Sequence, residues 1–142
     1  MTTQFQLHPR LKQDCIAIDR FDLCQLLMMN DSQYPWFILV PEKAGIKEIY
    51  QLSKPDRQTL TEESSFLAEK MAALYNADKM NIAAIGNLVP QLHIHHVVRY
   101  QSDKAWPAPI WGKFAAVPYT RQQIMDNIDR VKERLQSRIR PI

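Results

Sequence analysis

Three of the four histidines in this chain fall within four residues, at His93, His95 and His96. Successive side chains of a β-strand point to opposite faces, so His93 and His95 are predicted to share a face that His96 does not. Two imidazoles at positions i and i+2 of a strand lie within about 7 Å of each other. This spacing suits joint coordination of a metal ion, or attack on phosphorus by one ring while the other stabilises the developing charge. A third interpretation, a pair of surface histidines on a half-exposed strand, stays open on the spacing alone.

The histidines follow a series of predicted strands that must hold them in place. Side-chain alternation, short apolar runs and turn residues predict strands at residues 14–21, 23–29, 36–40, 81–85 and 91–100. Gly86-Asn87 is a strong turn signal between the last two strands, and it predicts that they form a hairpin.

Two helices have clear start signals. Ser53 can cap a helix in which apolar residues at helical spacing continue to about Tyr75. Thr120 and Gln123 form a second capping box, followed by apolar residues at helical spacing through Ile139. Two helices are too few for a doubly wound sheet, so the predicted class is α+β with an antiparallel sheet.

The alternation divides the histidine strand into two unlike faces. One face carries Gln91, His93, His95, Val97 and Arg99. The other face, which is apolar and expected to be buried, carries Leu92, Ile94, His96 and Val98. We therefore interpret His96 as a structural residue, and His93 with His95 as the functional pair.

The stretch from Gly86 to His95, GNLVPQLHIH, resembles the signature of the histidine triad (HIT) superfamily. In that family a Gly-(Gln/Asn)-x-Val turn leads into a strand that reads His-x-His-x-His. Residues 28–30 and 36–41 are similar to the family's nucleotide-binding strand pair, and the helix after Ser53 follows in the expected place. The resemblance implies that residues 1–142 form a single HIT-like domain. Its fold would be α+β, with an antiparallel sheet of about five strands, a long helix and a C-terminal helix.

The same resemblance implies a nucleotide hydrolase or transferase that acts on nucleoside phosphoanhydrides or phosphoramidates. His93 would attack the α-phosphorus, and water would then hydrolyse the nucleotidyl-histidine to a nucleoside monophosphate. His95 would donate to a non-bridging oxygen and on the side of the departing group. Asn87 would hold phosphate oxygens, and Asn30 or the neighbouring Asp31 would contact the ribose. The scheme implies no metal or other cofactor, and diadenosine polyphosphates are expected ahead of adenosine phosphoramidates.

One position departs from the family pattern, because Gln91 stands where the first histidine of the motif belongs. A glutamine keeps the backbone carbonyl that can orient the nucleophile, and its side chain offers both a donor and an acceptor. We therefore expect Gln91 to complete the catalytic set with His93 and His95. The departure also motivates an alternative, a nucleotide-binding module with little or no turnover. A metal site on His93 and His95 has no third ligand at a defensible spacing.

Residues after the motif allow two interpretations each. Arg99 lies on the catalytic face, where it pairs with a phosphate or forms a solvated strand end. The loop Asp103 to Gly112 could cover the site, stack on a base or pack at a subunit contact, and we interpret Trp111 as a plug over the sheet edge. His8 is isolated and receives no role.

Composition limits the remaining function classes. The 142 residues are about one domain's worth, with 46% hydrophobic and 23% charged residues, as in ordinary soluble proteins. A net charge of +3 is too small to indicate a nucleic-acid partner. No apolar stretch is typical of a signal or a membrane span, which predicts a cytoplasmic protein. Cys15 and Cys24 cannot form a disulfide framework and are predicted core residues. The HIT resemblance also implies a homodimer with a continuous sheet.

Overall fold

The chain folds into one antiparallel sheet with helices, as the computed structural model of residues 4–142 shows. The strands are Cys15–Arg20 (β1), Cys24–Met29 (β2), Trp36–Pro41 (β3), Lys79–Ala83 (β4) and Ile94–Arg99 (β5). The α-helices are Pro9–Asp14 (α1), Lys54–Tyr75 (α2) and Arg121–Leu135 (α3), and a short 3-10 helix spans Ile49–Gln51. The sheet order is β1-β2-β3-β5-β4, so the histidine strand β5 lies between β3 and β4. The predicted α+β class and antiparallel sheet are confirmed.

Helix α2 begins and ends where local chemistry predicts. The Ser53 hydroxyl accepts a hydrogen bond from the Asp56 amide at 3.2 Å and so satisfies a free N–H of the first turn. The helix ends at Asn76, whose left-handed conformation (φ 53°) closes the last turn with a bond to Ala72. Its buried face carries Leu60, Glu63, Leu67, Met71 and Leu74.

Helix α3 confirms the predicted capping box but is shorter than its apolar pattern. The Thr120 hydroxyl accepts from the Gln123 amide, and the Gln123 side chain accepts from the Thr120 amide. The helix ends at Leu135, so the prediction of helix through Ile139 is wrong. The cause is backbone pairing, because Arg140 exchanges two hydrogen bonds with Arg20 at the edge of β1.

The N-terminal segment contains a helix that the sequence pattern does not reveal. Helix α1 has only six residues, which is too short for a 3.6-residue periodicity to show. His8 caps it, since the His8 Nδ1 accepts from the Arg10 amide at 3.0 Å. His8 therefore does have a structural role.

The two faces of the sheet have different covers. Helices α2 and α3 pack on the face that carries Phe37, Leu39, Ile94 and Val98. The opposite face carries Leu27, Ile38 and Val40, and Phe5, Leu7 and Leu11 of the N-terminal segment pack there. Further along this face, Val97 packs with Ala105 and Ile110 of the chain after β5. None of the helices within residues 4–142 is long and apolar enough to cross a membrane.

His96 lies on the helix-covered face and is fully buried. Its Nδ1 donates to the Ile94 carbonyl at 3.1 Å, so its Nε2 accepts from the Ser64 hydroxyl of α2 at 2.7 Å. This geometry agrees with the structural interpretation of His96. Burial disfavours the charged imidazolium and lowers the pKa of His96 to about 4.

We expect the buried His96 to make the protein acid-sensitive. In the unfolded chain His96 takes up a proton near its ordinary pKa of 6.5, whereas in the folded protein it does so only near pH 4. Stability is therefore complete above pH 6.5 and falls as the pH drops towards 4, by about 1 kcal/mol per pH unit for this one group. Urea unfolding of the wild type and His96→Gln at pH 7.5, 6 and 5 measures the effect. Equal pH slopes in the two proteins would contradict the assignment.

Candidate functional site

His93 lies just before β5, and its ring faces the ring of His95. The two ring centroids are 4.9 Å apart, and the planes meet at 70°. The His93 Nδ1 is 2.7 Å from the Gln91 carbonyl oxygen, which can only accept. The proton of neutral His93 therefore resides on Nδ1, and the lone pair resides on Nε2.

His95 is held in the opposite tautomer by a residue of β3. The Trp36 indole Nε1 donates to the His95 Nδ1 at 3.0 Å. An indole nitrogen cannot accept, so the His95 Nδ1 carries no proton and its Nε2 does. The pair thus combines a lone pair on one ring with an N–H donor on the other.

Burial keeps both rings neutral. It lowers the pKa of His93, partly offset by the bond to the Gln91 carbonyl. It lowers the pKa of His95 to about 3, with further lowering from the neighbouring His93 and His96. At neutral pH the hydrogen-bond partners alone decide which nitrogen is nucleophilic and which donates.

The turn before the strand brings Asn87 to His93. A Cβ atom on Gly86 would lie 2.8 Å from the Val89 carbonyl oxygen and 3.5 Å from the His93 ring, so only glycine fits the turn without displacement. Asn87 and His93 line a common cavity of about 170 Å³. Lys47 and Glu48 line it too, although no motif in the sequence singles them out.

Asn30 and Asp31 line a second and larger cavity of about 430 Å³. One Asp31 carboxylate oxygen, Oδ1, accepts from Gln33 and from the Val117 amide. The Asn30 side-chain oxygen accepts from the Tyr119 amide at 2.9 Å. Within residues 4–142 these bonds leave the Asp31 Oδ2 and the Asn30 amide nitrogen available to a ligand. Trp36 also lines this cavity, together with Arg10, Gln13, Asp14, Met29, Ile110, Trp111, Gly112, Phe114, Ala116 and Pro118.

An aromatic cluster joins the histidine pair to the larger cavity. The His95 ring centroid is 5.7 Å from Trp36 and 5.5 Å from Trp111, and the two indoles are 6.3 Å apart. Trp111 therefore lies over the central strands, and the prediction that it plugs the sheet edge is wrong. The reason is that the chain after β5 folds back across β3 and β5.

Arg99 is committed to partners within the protein. Its guanidinium makes two bonds to the Asp103 carboxylate, at 2.8 and 3.1 Å, and further bonds to the Asn81 side chain and the Ala108 carbonyl. Arg99 is 1% exposed, so the interpretation as a solvated strand end is wrong. All three of its nitrogens already donate to protein oxygens, and the structure does not bring it to the histidine pair as a phosphate ligand.

Gln91 presents its backbone and its side chain to different partners. The carbonyl meets His93, as described, whereas the side-chain amide bonds the N-terminal segment at Gln6 and His8. Within residues 4–142, no three His, Cys, Asp or Glu side chains are arranged to hold a metal ion. A metal on His93 and His95 thus gains no third ligand from the described part of the chain.

The sheet, the turn and the facing imidazoles define a protein of histidine triad architecture, and comparison with known proteins agrees. The HIT domain family model matches residues 10–102, so the chain belongs to the HIT family. Membership supports a nucleotide-binding or hydrolase-type function in broad terms. No curated protein matches the chain significantly.

Solved structures show the same fold over nearly the whole chain. A histidine triad protein from Marinobacter aquaeolei VT8 is 50% identical, covers 95% of this chain and 98% of its own, and has a TM-score of 0.93. One from Sinorhizobium meliloti 1021 is 40% identical, with coverage of 92% and 97% and a TM-score of 0.90. One from Bradyrhizobium japonicum is 36% identical, with coverage of 93% and 98% and a TM-score of 0.91.

We predict that Trp36→Phe removes the hydrogen bond that restricts His95 to its Nε2–H tautomer. Phenylalanine keeps an aromatic ring but has no N–H, so His95 would populate both neutral forms. The ¹⁵N shifts of its two ring nitrogens measure their ratio. Trp111→Phe is the matched control, because Trp111 contacts the His95 ring without a hydrogen bond to it. A single Nε2–H form in Trp36→Phe would contradict the prediction.

We predict that Asp103→Asn destabilises the fold by about 3–5 kcal/mol, because it leaves the Arg99 charge buried without its partner. Asp14→Asn is the control, since Arg10–Asp14 is also an i,i+4 pair but has side chains 56% and 37% exposed, against 2% and 3% for Arg99–Asp103. Loss of this exposed pair in Asp14→Asn should lower the free energy of unfolding by less than about 1 kcal/mol. Free energies of unfolding in urea give both values, and similar losses would refute the distinction.

Proposed function

We propose that this HIT protein acts as a single domain that hydrolyses or transfers nucleotidyl groups, through a covalent intermediate on His93. The observation that carries the proposal is the pair of opposite tautomers in adjacent neutral rings. At neutral pH the His93 Nε2 has a free lone pair, and the His95 Nε2 carries a proton. The centroids of the two rings are 4.9 Å apart. Nucleophilic attack on phosphorus requires the lone pair of His93, and the N–H of His95 can stabilise the negative charge that develops on the phosphate oxygens.

The proposed reaction has two displacements at the α-phosphorus. In the first, the His93 Nε2 forms a bond to phosphorus while the phosphoanhydride or phosphoramidate bond breaks, and the departing group leaves as a phosphate anion or as an amine that has taken a proton from water. The His95 N–H donates to a non-bridging oxygen on the side of the departing group. In the second, water attacks phosphorus and releases a proton to solvent, the bond to His93 breaks with its electron pair returning to Nε2, and the nucleoside monophosphate leaves.

The two cavities suggest where the substrate binds. We place the nucleoside in the larger cavity, where the Asp31 Oδ2 and the Asn30 amide can bond ribose hydroxyls and Trp36 offers an aromatic wall. We place the phosphates beside Asn87 and His93 in the smaller cavity. This placement is supported by the aromatic cluster, which runs from His93 to the larger cavity through His95.

The departing group is proposed to bear further phosphates, as in diadenosine polyphosphates. Lys47 supports this choice, since it lines the smaller cavity and can pair with a further phosphate, with Glu48 in the same lining. Adenosine phosphoramidates are the second proposed substrate class. A homodimer is also proposed, and the position of β4 at an edge of the sheet is compatible with sheet extension. The cytoplasmic location and the lack of a nucleic-acid partner stay predictions.

A labelled substrate tests the covalent step. With a diadenosine polyphosphate labelled at the α-phosphate, the wild type should give a labelled protein adduct and labelled monophosphate, and His93→Ala should give neither. The expected loss of turnover is about a thousandfold or more. His96→Gln is the matched control at pH 7.5, because His96 lies on the other face of the same strand.

Two outcomes would overturn the mechanism. Tight nucleotide binding without turnover by the wild type and by His93→Ala would favour the alternative, a nucleotide-binding module. Activity that is abolished by chelation and restored by zinc would favour a metal site on His93 and His95 instead.

A further inference from the structure

We propose that Gln91 is a positioning residue that fixes the nucleophile from the N-terminal segment. The segment Gln6–His8, here called the N-terminal brace, holds the Gln91 side chain and through it the peptide whose carbonyl orients His93. The kinetic part of this inference rests on the proposed function. Its structural part, the control of the His93 tautomer, does not.

The side-chain amide of Gln91 pairs with the brace as a strand partner would. Its Oε1 accepts from the His8 backbone N–H at 2.9 Å, and its Nε2 donates to the Gln6 carbonyl at 2.8 Å. An amide presents a donor and an acceptor side by side in one plane, which matches a backbone N–H and C=O two residues apart. On the other side of the same residue, the Gln91 carbonyl accepts from the His93 Nδ1 at 2.7 Å.

The brace itself is anchored at both ends. Phe5 and Leu7 are half-buried and pack against the apolar cluster of β2 and β3 on the face that carries the site. His8 continues into α1, whose first turn it caps. Val89, in the turn that precedes Gln91, packs in the same cluster. The brace is therefore fixed to the sheet independently of Gln91, and it can hold the Gln91 peptide in place.

Gln91 lies outside the ladder of β5, and its peptide has one backbone bond, from the Leu92 N–H to the Ile46 carbonyl at 2.9 Å, to which the brace adds a second restraint. The strand begins at Ile94, three residues later, so the peptide at Gln91 is not held by β3 or β4. The imidazole of the usual family residue also has one donor and one acceptor, but they diverge from the ring and do not match the two brace groups. The glutamine is therefore a different means of orienting the nucleophile. The brace lies outside residues 10–102, the part that the family model matches.

Two substitutions in the full chain remove the link from opposite sides. Gln91→Leu removes both side-chain hydrogen bonds and keeps the carbonyl. His8→Pro removes the brace N–H together with the imidazole that caps α1, and the backbone at His8 (φ −56°) already suits proline. His8→Ala is the matched control, because alanine keeps the N–H and, like proline, has no side chain that caps α1.

The first readout is the tautomer of His93, from the ¹⁵N shifts of its ring. The wild type and His8→Ala should show the Nδ1–H form alone, whereas Gln91→Leu and His8→Pro should show a mixture. Turnover of a labelled diadenosine polyphosphate is the second readout, with kcat lowered roughly tenfold and KM within about twofold in both variants. The double variant should be no worse than the more severe single one, since both remove one connection.

Several results would overturn the inference. A pure Nδ1–H form in Gln91→Leu, a wild-type tautomer in His8→Pro, or additive effects in the double variant would each do so. A rise in KM with unchanged kcat would mean that Gln91 acts on binding instead. If the wild type shows no turnover at all, the proposed function fails, but the tautomer measurement still decides whether the brace positions His93.

Discussion

The burial of β5 between β3 and β4, with both of its faces covered, determines the chemistry of every histidine in this region. All six residues of the strand are buried, and desolvation lowers the pKa of His93, His95 and His96 alike. Each ring is therefore neutral near pH 7 and has one donor and one acceptor nitrogen. Which nitrogen is which depends on a neighbour, so the positions of a few partner atoms control the reactivity of the whole group.

Those partners come from three different parts of the fold. The Gln91 carbonyl fixes the position of the proton on His93, and the indole of Trp36 in β3 fixes it on His95. For His96, the partners are the Ile94 carbonyl and the Ser64 hydroxyl of α2. The sheet thus does more than bring two imidazoles together. It presents them in complementary forms, and it uses the third histidine to join the strand to its covering helix.

Features that depend on near neighbours in the chain could be predicted from the sequence. Strand alternation separates His96 from the other two histidines, and the capping residues Ser53 and Thr120 locate both long helices. Long-range contacts could not be predicted in this way. The bond between Trp36 and His95 joins residues 59 apart, and that between Gln91 and His8 joins residues 83 apart. Alternation also places Arg99 correctly on the face that carries His95, but only the three-dimensional turn after β5 shows that Asp103 neutralises it there.

Most of the cover over the face that carries His93 and His95 comes from the two ends of the region that the HIT model matches or from beyond them. The first cover is the segment before β1, and the second is the chain between β5 and α3, most of which follows residue 102. The sheet and its histidines lie within the matched region, whereas Trp111 and Phe114 of the larger cavity lie beyond it. Substitutions, insertions and deletions in these flanks can therefore alter the walls of the larger cavity without altering the strands that carry the histidines. In this architecture, the walls of the larger cavity and the strands below them are free to change at different rates.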